Sequence, residues 1–130
     1  MDEAELDTIL KSILVRSYKK DYTLFVEGLP GQDLYIVLEG GVDIVKKTKD
    51  GELLLAKMGP GEVLGEMSLI DSRPRSATGK TNVDSNIAVL PKKHFDVLLN
   101  KHPEIAAKIL KALLKILSTR VRVTTKKLQT

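Results

Sequence analysis

The sequence predicts a mostly β protein with helices at both ends, and two patterns support this prediction. All nine glycines lie between Gly28 and Gly79, so neither end of the chain contains one. In the middle, turns that contain glycine or proline separate short β-prone runs, which is typical of an antiparallel sandwich or barrel. At both ends the apolar residues instead repeat at helical spacing.

The N-terminal segment, residues 1–22, is predicted to be helical, with one helix over residues 2–16. Acidic side chains fall in its first turn, where the helix dipole favours negative charge. The apolar side chains that recur at helical spacing are Leu6, Ile9, Leu10, Ile13 and Leu14.

Residues 23–90 are predicted to form short strands. The pair Asp50-Gly51 between two of the β-prone runs predicts a tight hairpin, since such turns favour glycine after aspartate. The clearest runs are Thr23–Val26, Leu34–Leu38, Val42–Lys47, Leu53–Met58 and Asn86–Leu90.

Residues 91–130 are predicted to form two helices. The first covers Lys92–Asn100, and the second begins near Pro103 and runs to about Leu128. A helix of ~26 residues is ~39 Å long, which exceeds what a small barrel can cover. We therefore expect a homodimer through this helix, with packing onto the barrel as the alternative. The apolar seam of the second helix is Leu110, Leu114, Leu117, Val121, Thr124 and Leu128.

Composition and length narrow the class of protein. The chain has 130 residues, of which 42% are hydrophobic and 29% are charged, which indicates one soluble globular domain over residues 1–130. It has no cysteine, which excludes disulfides and thiolate metal sites. No apolar run approaches the ~20 residues that span a bilayer, and the first residues are acidic where a signal peptide is basic. We expect a cytoplasmic protein with no membrane contact.

The positive charge is concentrated at the C-terminal end. The first hundred residues carry 13 basic and 16 acidic side chains, whereas the last thirty carry 8 and 1. A solvated face of an amphipathic helix explains this excess, and a contact with nucleic acid or an acidic partner is the alternative.

The segment Gly61–Thr78 carries the chemistry of a binding site. Glu66 directly follows Gly65, and Arg75 comes nine positions later, followed by the small residues Ser76 and Ala77. A carboxylate accepts hydrogen bonds from sugar hydroxyls, and arginine pairs with phosphate oxygens through its planar fork. These residues suit a ligand with both a sugar and a phosphate.

This segment resembles the phosphate-binding cassette of the cyclic nucleotide-binding domain family, and we call it the cassette. The upstream residues Leu24–Gly28, Asp33–Val37 and Gly40–Val42 are similar to the first strands and turns of that family. The resemblance extends from about Tyr18 to Leu128. It implies an eight-stranded antiparallel β-roll of the jelly-roll type, with an N-terminal helix and a long C-terminal helix.

The resemblance also implies a role for individual residues. Glu66 would bind the ribose 2′-hydroxyl and Arg75 the cyclic phosphate. The segment Glu66–Ile70 would form a short helix whose N-terminus faces the phosphate, as helix N-termini favour anions. The other ligand-binding residues that the resemblance implies are Leu64, Gly65, Met67, Ser68, Ser76 and Ala77. Met67 and Ser68 depart from the leucine and alanine that are more usual there.

Residues near the C-terminus carry a second resemblance. The stretch Arg122–Leu128 is similar to the adenine-contacting part of the catabolite activator group, where Thr124 and Thr125 would reach the base. This favours cAMP as the ligand, with cGMP as second choice. That group continues into a helix-turn-helix domain whereas this sequence ends at Thr130, so we expect no nucleic-acid partner from this chain alone.

The sequence thus predicts a non-catalytic receptor module that binds a cyclic nucleotide and needs no cofactor. Binding is expected to move the C-terminal helices about a hinge near Leu90-Pro91. His94 and His102 lie eight apart with no neighbouring ligand set, so no metal site is predicted. The alternatives are a degenerate fold that serves as a protein-interaction module and a DNA-binding regulator that uses the basic C-terminal helix.

Overall fold

The part of the chain that the structure describes contains two four-stranded antiparallel sheets. The structure is a computed structural model, and it describes residues 2–66 and 71–115. Contacts between Cα atoms divide the chain into two units, residues 1–95 and residues 96–130.

Helix α1 (Glu3–Ser12) is followed by eight strands, and β8 leads directly into helix α2 (Lys92–Lys101). A further helical segment, α3, occupies residues 103–115 of the second unit. The strands are β1 (Leu14–Tyr18), β2 (Thr23–Phe25), β3 (Asp33–Glu39), β4 (Val42–Thr48), β5 (Gly51–Met58), β6 (Val63–Leu64), β7 (Thr78–Thr81) and β8 (Ser85–Pro91).

The first sheet has the strand order β1-β8-β3-β6, and the second has the order β2-β7-β4-β5. Alternate residues of the strands form a hydrophobic cluster, because successive side chains of a strand point to opposite faces. From β3 it includes Tyr35 and Val37, and from β8 it includes Ile87 and Val89. Val42, Met58 and Leu64 complete its buried members. The predicted class, mostly β with flanking helices, is confirmed.

The predicted N-terminal helix is too long. Asp2 and Glu5 form a capping box at its start, in which the Glu5 N–H donates to Asp2 Oδ1 at 2.8 Å. The helix then ends at Ser12, and Leu14 begins strand β1, which pairs with β8. Pairing with β8 places Leu14 opposite Val89, where it packs against the core. This tertiary contact overrides the local helical periodicity.

The sequence pattern also misses two other strands. Strand β6 is only two residues long, and β7 reads Thr-Gly-Lys-Thr, which is mostly polar and contains a glycine. Both become strands because neighbouring strands pair with them, β3 with β6 and β4 with β7. The predicted hairpin at Asp50-Gly51 is confirmed, and it joins β4 to β5 with a φ of 121° at Gly51.

Candidate functional site

Gly65 follows strand β6 and occupies a position where a side chain would displace its neighbours. Its φ is 76°, in the left-handed region that glycine tolerates best. A Cβ atom at this position would overlap Arg75 Nη1 and would lie 2.9 Å from the carbonyl oxygen of Asp33. Because glycine has no side chain, the guanidinium group of Arg75 can approach the backbone after β6.

The backbone of Arg75 is tied to the loop after β2. Its N–H donates to the carbonyl oxygen of Leu29 at 2.8 Å, and its own carbonyl oxygen accepts from the Gly28 N–H at 2.8 Å. Next to this pair, Pro30 and Pro74 form an isolated β-bridge. These contacts hold Arg75 at a defined place although residues 71–77 belong to no helix or strand.

The guanidinium of Arg75 packs on two aromatic rings. It lies 4.5 Å from the centroid of Phe25 and 5.9 Å from that of Tyr35, distances typical of cation–π contacts. Its Nη2 donates to the carbonyl oxygen of Asp33 at 2.8 Å. Its Nε is buried and has no hydrogen-bond partner among the residues that the structure describes. A buried donor without a partner costs stability unless a ligand satisfies it.

Charges near Arg75 act against the effect of its burial. Burial lowers the pKa of Arg75, whereas Tyr35, Asp33 and Glu66 raise it. Burial, followed by the charge of Asp33, raises the pKa of Tyr35 to about 12, so its phenol is neutral near pH 7. Because free arginine is protonated far above pH 7, the group remains a cation that can pair with an anion.

The other predicted residues of the cassette lie at different depths. Leu64 and Ala77 are buried, Glu66 is partly buried, and Ser76 is exposed. The carbonyl oxygen of Ser76 accepts a hydrogen bond of 3.3 Å from Lys46 Nζ. Glu66 is close enough for its charge to raise the pKa of Arg75, so the predicted acid and arginine are electrostatically coupled.

Four predicted binding residues cannot be placed. Met67 and Ser68 lie outside the described residues, as do Thr124 and Thr125. The same holds for most of the predicted short helix Glu66–Ile70 and for the seam beyond residue 115. Within residues 2–66 and 71–115, no group of three or more His, Cys, Asp or Glu side chains is arranged to hold a metal ion.

Three residues at this site were assigned no role from the sequence. Phe25 and Tyr35 provide the rings against Arg75, and the backbone of Asp33 accepts its hydrogen bond. All three belong to the upstream stretches that carry the family resemblance. The stretches that contain these residues indicate the family, but nothing in the spacing of the three residues indicates a contact with Arg75.

The arrangement around Arg75 can bind an anion that also offers hydroxyl groups to a nearby carboxylate. The family model for the cyclic nucleotide-binding domain matches residues 15–102, which is more than half of the chain. The chain belongs to the cyclic nucleotide-binding domain family. The match includes the cassette, helix α2 and all eight strands apart from Leu14, the first residue of β1.

Two curated relatives are bacterial proteins whose names specify cyclic AMP. A CRP-like cAMP-activated global transcriptional regulator of Mycobacterium tuberculosis is 30% identical over 114 residues, which cover 87% of this chain and 51% of the regulator. A cyclic AMP receptor protein of Thermus thermophilus is 35% identical over 103 residues, which cover 78% of this chain and 48% of the receptor. This cyclic nucleotide-binding domain therefore spans about half the length of these relatives.

A solved structure has the same fold. The cyclic nucleotide-binding domain from Methylobacillus flagellatus KT matches with a TM-score of 0.84 and 32% identity, over 94% of this chain and 69% of that one. The described residues of this cyclic nucleotide-binding domain include no helix that is long and apolar enough to cross a membrane.

Proposed function

We propose that this chain is a non-catalytic receptor module for cAMP, in which Arg75 pairs with the cyclic phosphate. The observation that carries this proposal is the arrangement of Arg75, a half-buried cation whose Nη1 lies beside the backbone of Gly65 and whose Nε–H has no partner among the described residues. Charge-assisted hydrogen bonds from arginine to phosphate oxygens are among the strongest that a side chain makes. A phosphate that pairs with the guanidinium would neutralise this cation.

Glu66 is proposed to accept a hydrogen bond from the ribose 2′-hydroxyl. It directly follows Gly65, whose backbone lies beside the Arg75 guanidinium, so a ligand that contacts both Glu66 and Arg75 would carry a hydroxyl group near its phosphate. The cyclic ribose phosphate has this property. The N–H groups of Gly65, Ser76 and Ala77 are proposed to complete the contacts, with Leu64, Met67 and Ser68 lining the pocket.

The choice of cAMP over cGMP rests on the relatives. The names of the regulators from M. tuberculosis and T. thermophilus both specify cyclic AMP. Thr124 and Thr125 are proposed to contact the adenine from the C-terminal helix. Homodimerisation through this helix, and its movement on ligand binding about a hinge near Pro91, are further parts of the proposal.

The experiment is a calorimetric titration of the chain with cAMP and cGMP, together with two arginine variants. Arg75→Gln is expected to weaken cAMP binding by about 10- to 100-fold, because charge-assisted hydrogen bonds contribute about 1.5–3 kcal/mol. Arg73→Gln is the matched control, since Arg73 lies two positions away with a side chain that is 84% exposed and paired to Asp71 at 3.1 Å.

Four outcomes would contradict the proposal. Unchanged cAMP affinity in Arg75→Gln would show that Arg75 does not bind the phosphate. Tighter binding of cGMP than of cAMP would reverse the base preference. The absence of heat with either nucleotide would favour the protein-interaction module, and steeply salt-dependent binding to duplex DNA would favour the DNA-binding regulator.

A further inference from the structure

Phe25 is the residue whose ring lies closest to the charged group of Arg75. The ring belongs to strand β2, and its centroid is 4.5 Å from the guanidinium carbon. It also stacks on Tyr35, with the two centroids 5.7 Å apart and the ring planes inclined by 28°. The Tyr35 hydroxyl donates to the carbonyl oxygen of Leu24 at 3.2 Å, which ties the second ring to the strand that carries the first.

A glycine on the neighbouring strand makes room for this ring. Gly79 is the direct partner of Phe25 in the pairing of β2 with β7. A Cβ atom at Gly79 would lie 2.6 Å from Cε1 and from Cζ of Phe25, closer than real Cβ contacts. The φ of Gly79 is not positive, so this position needs glycine for space and not for its backbone conformation.

Gly65 makes room for the other partner of the contact. A Cβ atom there would overlap Arg75 Nη1 and would lie 3.2 Å from the guanidinium carbon. Gly65, which follows β6, and Gly79, in β7, thus leave space for a single contact between an arginine and an aromatic ring. A glycine at each position costs more conformational entropy on folding than another residue would, which favours a specific use for the space that it leaves.

We propose that Phe25 is a positioning residue for phosphate recognition, which orients the Arg75 guanidinium, and that Gly79 allows it to do so. The inference rests on the proposed phosphate role of Arg75. The electron-rich face of a ring attracts a cation, and a long side chain held in place before binding loses less freedom when the ligand arrives. Phe25 would therefore raise affinity without touching the nucleotide.

The test is a double-mutant cycle with Phe25→Leu and Arg75→Gln, in which cAMP affinity is measured by calorimetry. Phe25→Leu keeps an apolar side chain but removes the ring face. We expect it to weaken cAMP binding roughly tenfold in the unmodified chain. In the Arg75→Gln background we expect no further loss, because the group that the ring positions is gone. Phe25→Tyr keeps the ring face and is expected to restore most of the affinity.

The cycle separates this inference from the function on which it rests. If Phe25→Leu weakens binding equally in both backgrounds, the ring acts only on the structure of the domain and the inference is wrong. If Arg75→Gln weakens cAMP binding but Phe25→Leu does not, Arg75 binds the phosphate as proposed and the positioning role of Phe25 is wrong. If Arg75→Gln has no effect on cAMP affinity, both the phosphate role of Arg75 and the positioning role of Phe25 are wrong.

A pair of glycine variants provides a second test if Phe25→Leu fails to fold. Gly79→Ala adds one methyl group that displaces the Phe25 ring, while the residues Phe25 and Arg75 themselves are unchanged. Gly59→Ala is the control, because its Cβ would meet no atom within 4 Å and its φ is not positive. We expect roughly tenfold weaker cAMP binding for Gly79→Ala and none of this loss for Gly59→Ala. Equal cAMP affinities in the two variants would overturn the positioning role.

Discussion

Arg75 Nη2 donates a hydrogen bond of 2.8 Å to the backbone carbonyl oxygen of Asp33 at the start of strand β3. A backbone acceptor of this kind persists whatever side chain stands at position 33. One N–H of the guanidinium thus has a hydrogen-bond partner within the protein, while Nε–H has no partner among the described residues. The bond orients the fork of the arginine before a ligand binds, which lowers the entropy cost of binding.

Substitution of Gly65 should impair the site through steric overlap. We expect Gly65→Ala to weaken cAMP binding at least about tenfold, because the added Cβ displaces the Arg75 guanidinium, whose charged hydrogen bonds contribute more than about 1.4 kcal/mol. Gly61→Ala is a matched control, since Gly61 has a similar φ of 85° but a Cβ there would meet nothing within 4 Å. Calorimetry with cAMP measures the difference, and equal losses in the two variants would assign the effect to backbone strain alone.

Glu66→Gln should affect the recognition of one hydroxyl group. We expect this variant to bind cAMP about tenfold more weakly, since a hydrogen bond to a charged acceptor contributes about 1.5–3 kcal/mol. Its affinity for 2′-deoxy-cAMP should equal that of the unmodified chain, because this ligand lacks the hydroxyl that the carboxylate is proposed to bind. A similar loss of affinity for both ligands would show that Glu66 acts elsewhere.

Tyr35 should make the stability of the fold decrease in strong alkali. Its pKa is raised from 10.0 in the unfolded chain to about 12 in the folded one, mainly by burial. The unfolded chain therefore loses this proton first, so the stabilisation is complete below pH 10 and is lost as the pH rises through about 12. The change in the free energy of unfolding amounts to about 2–3 kcal/mol.

Denaturant unfolding at a series of pH values measures this decrease. Tyr35→Phe has no phenol to ionise, so its free energy of unfolding should change less over the same range. An equal pH dependence in the two proteins would mean that other groups, such as Tyr18, account for the decrease.

Leu114 should contribute to self-association if the C-terminal helix forms a dimer. Its side chain is 66% exposed, and it lies on the predicted seam. We expect the chain to sediment as a dimer at micromolar concentration and Leu114→Glu to sediment as a monomer, because a dimer would bury the added charge. Ala112→Glu adds the same charge at an exposed position off the seam and should remain dimeric. A monomeric unmodified chain would contradict the predicted dimer.

The strands and the helix that have a clear local sequence pattern were predictable. Strands β3, β4, β5 and β8 contain the β-prone runs with small extensions at their ends, and α2 matches the predicted helix. Residues 14–16 were assigned to a helix because Leu14 continues an apolar spacing of three and four. They form a strand because β8 offers an antiparallel partner, which no local pattern records.

The cassette was predictable as a chemical motif, and its contacts were not. Gly65, Glu66 and Arg75 stand close together in the sequence, so their spacing alone indicated a sugar-phosphate ligand. The two rings and the carbonyl group that hold Arg75 come from residues 25, 33 and 35. The roles of Met67, Ser68, Thr124 and Thr125 remain predictions.

The sequence by itself determined the class of fold, the place of the turns and the residue types offered to a ligand, because these depend on local backbone preferences and side-chain chemistry. Only the tertiary structure decided that Leu14 starts a strand and that Phe25, Asp33 and Tyr35 surround Arg75. The Arg75–Asp33 bond spans 42 positions of the chain. Contacts over such distances depend on strand pairing, which periodicity within one segment does not encode.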